Sequence, residues 1–195
     1  KSSWKENIST MQKRKIKKGI KELEENNFSI RILENKVKDS EIENILNFVY
    51  RNNDFFKLPK KEKIKNWINY LLINEKLKIF LIEDSKNNIK SLTINVFDNK
   101  SMYYIIGSIE KSFRKSNLNS YLFELMIEDS LKNNLIFNFE GSVIPGVEKY
   151  FRSFGGKLMK FYRIVRIKNI FLKTFFYLNQ KTKQNSYLKK KNEFF

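Results

Sequence analysis

The chain is predicted to form an α/β (α+β) domain, a mixed, mostly antiparallel twisted sheet with helices on both faces. Two observations predict it. Apolar strands are expected at Leu77–Ile82, Leu92–Phe97 and Met102–Gly107, with Asn87-Asn88 and Asp98-Asn99 as turn residues between them, which reads as an antiparallel meander. A helix over Leu118–Asn133, with Leu118, Tyr121, Leu122, Leu125 and Met126 on its inner face, then leads to a further apolar strand at Leu135–Phe139. A meander feeding a β-α-β crossover gives a mixed sheet covered by helices on both sides.

The other elements follow from the N-terminus. Residues 4 to 26 read as a basic helix, with a narrow apolar stripe at Ile16, Ile20 and Leu23 beside Lys13, Arg14, Lys15, Lys17 and Lys18. A short strand is expected at Phe28–Leu33. Ser40 and Glu43 have capping-box spacing, and Ile42, Ile45, Leu46 and Val49 repeat with helical period behind them. Beyond Pro59, Ile64, Trp67, Ile68, Leu71 and Leu72 share one face of another helix. Late in the chain Pro145 suits a first helical turn, and Val147, Tyr150, Phe151 and Phe154 form the buried stripe of that helix. Gly155-Gly156 ends it, and Lys157–Ile167 is expected to return as a strand. The domain organisation is a basic N-terminal helix over 1–27, one α/β domain over 28–167, and an aromatic helix with a Lys/Asn-rich tail over 168–195.

With 195 residues, 41% hydrophobic and 15% aromatic, the chain can bury one real core. Its net charge of +18 points toward polyanions, but the absence of alanine and the abundance of Lys, Asn, Ile and Phe match AT-rich coding, so solvated lysine faces account for much of it. There is no cysteine, hence no disulfide and no thiolate nucleophile. There is also no histidine, which excludes a Ser-His-Asp triad and most zinc chemistry. No metal is expected, and proton transfer falls to Glu, Asp, Tyr, Lys or water. No apolar run reaches about 20 residues, and no signal-like segment is present, so a cytoplasmic protein is expected. The start at Lys1 suggests a piece of a longer chain.

Residues 137–156 carry a family resemblance. Gly146-Val147-Glu148-Lys149-Tyr150-Phe151-Arg152-Ser153-Phe154-Gly155-Gly156 is similar to the late helix of GNAT acyltransferases, which reads roughly N-x-x-A-x-x-F-Y-x-K-x-G-F. Phe137-Asn138-Phe139-Glu140-Gly141-Ser142-Val143-Ile144-Pro145 resembles the F-D-F-E-G-S-x-x-P signature of the Fem-like GNAT branch, which also includes BioF2-like proteins. The basic helix followed by Asn26-Asn27-Phe28-Ser29-Ile30-Arg31-Ile32-Leu33 resembles the lysine-rich segment before the second GNAT module of that branch. The resemblance therefore implies a C-terminal module with a GNAT-like module upstream. It implies transfer of an acyl group from acetyl-CoA or another acyl-CoA to an amine, on a small molecule or a cell-envelope precursor. Two alternatives stay open: aminoacyl-tRNA-dependent Fem-like peptidyl transfer, with tRNA as partner, and a catalytically inactive binding module.

The same resemblance assigns candidate residues. GNAT enzymes hold the coenzyme A pyrophosphate in a Q/R-x-x-G-x-G/A loop that opens a helix. Arg114, Lys115, Ser116, Asn117, Asn119 and Ser120 stand in that register, with asparagine at both glycine positions. Asparagine tolerates the positive φ of such a loop but crowds the phosphates, so an anion site for coenzyme A or tRNA phosphate and an ordinary polar turn both stay open. Glu140 ends an apolar strand, where open α/β sheets bind ligands, and is the candidate base; the alternative is a cap on the N–H groups of 144–147. The tyrosine that protonates the leaving thiolate in many GNAT enzymes aligns with Phe151, so that role is absent or passes to Tyr104 or Tyr162. Backbone N–H groups of Tyr103–Gly107 are the candidate oxyanion contact. The basic helix reads as a solvated face, a phosphate contact or an arm on a neighbouring module, and the aromatic tail as a packing segment or a peripheral membrane contact.

Overall fold

A computed structural model of the chain describes residues 4–34, 37–54, 58–142 and 145–159. Of its two units, Lys1–Leu158 and Met159–Phe195, the first carries the sheet. Five strands lie in chain order: β1 (Ser29–Glu34), β2 (Leu77–Glu83), β3 (Ile89–Phe97), β4 (Ser101–Ile109) and β5 (Ile136–Asn138). The first four are antiparallel to their neighbours, and β5 runs parallel to β4. The helices are α1 (Thr10–Glu25), α2 (Asp39–Asn52), α3 (Lys61–Ile73), α4 (Leu118–Lys132) and α5 (Pro145–Ser153). The mixed, mostly antiparallel sheet expected from the sequence is therefore present. Of the expected last strand, Lys157–Met159 have no regular structure, and the remainder lies outside the described residues with the tail.

Strand β2 is buried on both faces, which is why it reads as an almost continuous apolar run. Leu77, Ile79 and Leu81 join α2 and α3 in one core; Phe80 and Ile82 join α1, α4 and α5 in the other. Burying each such side chain stabilises the fold by about 1.5–3 kcal/mol. Lys78 interrupts the run, and its Nζ lies 3.0 Å from both Asp129 and Glu34. Burial alone would lower the Lys78 pKa, but the two carboxylates outweigh it and hold the ammonium above its usual value. On the α4 side β3 is polar. Ser91 Oγ donates to Asn119 Oδ1 at 2.6 Å, and Asn95 Nδ2 donates to Lys78 O at 3.3 Å.

Two expectations about helix starts are corrected. The basic helix is not continuous from residue 4: a 3₁₀ turn at Trp4–Asn7 precedes α1, and Ser9 caps α1 by accepting from Gln12 N at 3.2 Å. The break lets Ile8 turn into the core. Helix α2 begins at Asp39 without a side-chain cap, so the Ser40/Glu43 capping box does not form. Glu43 instead pairs with Lys61 and Lys65 of α3, because an interhelix ion pair competes for the same carboxylate.

Candidate active site

Strand β5 pairs along its whole length with the beginning of β4. Ser101, Met102 and Tyr103 pair with Ile136, Phe137 and Asn138, after which β5 ends while β4 continues to Ile109. Within β4 the register slips: Ile94 faces Ile106 and Asn95 faces Tyr104, so Ile105 is the extra residue of a β-bulge. A bulge bends its strand and sharpens the local twist. On the other side the chain leaves β5 through Glu140 and Gly141, both left-handed at φ 58° and 68°. From Tyr104 onward β4 has no strand partner on its β5 side among the described residues. The sheet is thus open beside β4 beyond the carboxyl end of β5, the edge where such sheets accept ligands.

Hydroxyls collect behind this opening. Tyr104 projects to the α4 side, with its ring 4.8 Å from Phe123 and 6.0 Å from Phe151. Burial pushes its phenol up to about 12. Tyr150 of α5 places its hydroxyl 3.3 Å from Ser120 Oγ in the first turn of α4, and burial raises its pKa as well. Phe123 is the centre of this packing, with Phe137, Phe139, Tyr150, Phe151 and Phe154 around it at centroid distances of 5.4 to 6.3 Å.

The N-terminus of α4 is arranged differently from the expected phosphate loop. Neither Asn117 (φ −101°) nor the helical Asn119 adopts positive φ, so the loop shape inferred from asparagine tolerance does not form. Arg114 donates through Nη2 to Asn52 O at 2.8 Å and to Asp54 Oδ2 at 2.6 Å. Lys115 is exposed, Ser116 Oγ accepts weakly from Leu118 N at 3.4 Å, and Asn119 faces Ser91. Glu22 of α1 fills the helix terminus: its two oxygens accept from Asn117 N at 2.7 Å and from Asn117 Nδ2 at 2.8 Å.

Of the candidate catalytic residues, Glu140 is exposed at the mouth of the opening, Tyr104 stands at its base, and Tyr162 lies outside the described residues. Tyr150 and Glu22 were not singled out from the sequence. The apolar stripe of α5 shows which side of Tyr150 faces the core and not where its terminal hydroxyl ends. A signal for Glu22 did exist, since Gly19 inside a helix-forming stretch marks a close approach. A cleft of about 620 Å³ adjoins the carboxyl end of β4 on the α2 side, lined by Asn44, Phe48, Arg51, Lys90 and Glu110 among others.

Solved structures share this architecture. A possible acetyltransferase from Clostridium difficile 630 matches 73% of this chain and 98% of its own, with a TM-score of 0.57 at 14% identity. A predicted acetyltransferase from Clostridium acetobutylicum, solved with acetyl-CoA, matches 71% and 96%, with a TM-score of 0.57 at 11% identity. The aminoglycoside 6'-N-acetyltransferase AAC(6')-Ih from Acinetobacter baumannii matches 73% and 99%, with a TM-score of 0.52 at 8% identity. The fold is the GNAT acetyltransferase fold. The structural match shows the GNAT fold, and identities this low leave the Fem-like branch unassigned. No protein-family model and no curated protein matches the sequence. Among the described residues no helix of this GNAT fold is long and apolar enough to cross a membrane.

Proposed function

We propose that the chain is an N-acyltransferase that receives an acyl group between β4 and β5 and passes it to an amine. The observation that carries this reading is the end of β5 at Asn138, which leaves the β5 side of β4 open from Tyr104 onward among the described residues, beside the bulge at Ile105. A carbonyl lodged there would meet backbone N–H groups of the open β4 edge around Ile105–Gly107, which suit the oxyanion of a tetrahedral intermediate. The amine nitrogen attacks the carbonyl carbon, the new C–N bond forms, and the bond from carbon to the donor's sulfur or oxygen breaks. Tyr150 or Tyr104, protonated at neutral pH as any phenol is, gives a proton to the departing atom. Glu140, exposed at the opening, takes the proton from the amine, directly or through water.

Two donors fit this chemistry. Acyl-CoA is supported by the GNAT fold and by the acetyl-CoA complex of the C. acetobutylicum neighbour. Aminoacyl-tRNA is favoured by a specific observation: Lys13, Arg14, Lys17 and Lys18 are exposed on α1, whose Glu22 closes the usual phosphate position. The acceptor is proposed to be an amine of a small molecule or a cell-envelope precursor, and the site is proposed to be cytoplasmic.

The test is a transfer assay with acetyl-CoA and with charged tRNA against a panel of primary amines. Transfer from one donor is expected, with a loss of about 10²- to 10⁴-fold in Tyr150→Phe if that phenol is the acid. Absence of transfer from either donor sinks the reading and leaves a GNAT-fold binding module.

A further inference from the structure

In the GNAT fold the N-terminus of α4 is a ready anion site, because unsatisfied backbone N–H groups and the helix dipole both point outward there. In this chain an internal carboxylate already holds that position. We propose that Glu22 is a specificity-determining residue: it excludes a donor diphosphate from α4 and restricts transfer to acyl donors whose phosphates bind elsewhere. The inference rests on the acyl-transfer reading above and names its donor class.

Three independent features carry it. Glu22 uses both oxygens on one residue, accepting from the backbone N–H and the side-chain amide of Asn117, so a diphosphate at this terminus would have to displace or adjoin a negative charge. Helix α1 is held in place along its length. Gly19 lies so close to α4 that a Cβ there would stand 2.5 Å from Asn117 O and 3.1 Å from Tyr121 Cβ. Ile16 is buried against α4, Ser9 N donates to Ser153 O at 2.9 Å, and Lys5 pairs with Glu124 at 3.0 Å and Glu128 at 2.6 Å. The third feature is the basic side chain in the phosphate-loop register: Arg114 is drawn to Asp54 and Asn52 O on the α2 side, and Lys111 joins the same carboxylate at 2.8 Å.

The experiment titrates coenzyme A, 3′,5′-ADP and inorganic pyrophosphate calorimetrically into the intact chain and into Glu22→Gln. Glutamine keeps the size and one carbonyl acceptor while removing the charge. The unaltered chain is expected to bind all three probes more weakly than about 1 mM, and Glu22→Gln to bind coenzyme A at least ~10-fold more tightly, the effect of about 1.4 kcal/mol. As a readout that needs no variant, the Asn117 amide resonance of the unaltered chain should stay still on addition of millimolar pyrophosphate. Micromolar binding of coenzyme A by the unaltered chain, movement of that resonance, or no gain in Glu22→Gln each overturns the proposal. Failure of all acyl transfer would remove the proposed activity and leave this binding comparison intact, so the two failures are distinguishable.

Discussion

Tyr104 lies across Gly107 on the α4 side of β4, so that a Cβ at 107 would overlap its hydroxyl oxygen and stand 2.9 Å from its Cζ. Both positions face α4 because the bulge at Ile105 shifts the alternation of the strand. The phenol is thereby held at the base of the opening between β4 and β5.

Gly107→Ala should push that ring out of place. Overpacking of this kind costs about 1–3 kcal/mol, read as a lower urea midpoint at unchanged slope. Tyr104→Phe removes the overlapping oxygen, so the double variant should recover part of the loss. Equal midpoints for Gly107→Ala and the double variant would contradict the packing described.

Alkaline pH should destabilise the chain through its buried phenols. Tyr104 is raised from the usual 10.0 to about 12, so the folded state holds its proton more tightly than the unfolded state. The sign follows: its contribution is fully present below pH 10 and is lost as pH rises from 10 toward 12, by at most about 1.4 kcal/mol per pH unit for one group. Tyr104→Phe should flatten the decline measured by urea unfolding, leaving a remainder that includes Tyr150. An unchanged slope would mean that the phenol titrates normally.

Glu140 sits in left-handed conformation at an exposed position, which costs an L-residue about 1–2 kcal/mol. Glu140→Gly is expected to raise stability by up to about 1 kcal/mol, and both Glu140→Gly and Glu140→Gln to abolish transfer. Retained activity in Glu140→Gln would assign the carboxylate to the turn alone.

Arg31 of β1 binds Glu83 of β2 with two bonds, at 2.7 and 2.8 Å, and also reaches Glu41 of α2. The Glu83 side chain is 3% exposed, whereas Arg31 is 42% exposed. Arg31→Met leaves a buried carboxylate without its guanidinium. A loss of about 1–3 kcal/mol is expected, between the values for exposed and buried pairs. A change within measurement error of zero would show that solvent replaces the arginine.

Much of the fold was legible because it is written in local patterns. The turn asparagines set the meander, and Ile64, Ile68, Leu71 and Leu72 recur with helical period and are buried as a set. Glu140 was placed at the sheet's ligand edge because an apolar strand ended there, and β5 does end just before it. The left-handed backbone of Glu140 had no such signal. Ser40 and Glu43 show how a local motif fails: the capping box is satisfied within four residues, but lysines from another helix were nearer.

By itself the sequence determined the order of elements, the mixed sheet and the apolar faces, since periodicity and turn chemistry act between near neighbours. Only the tertiary structure decided what meets at the opening. Glu22 and Asn117 are joined across the packing of α1 on α4, and Tyr150 and Ser120 across the packing of α5 on α4. Such pairs depend on helix placement to within about an ångström, and no spacing along the chain encodes it.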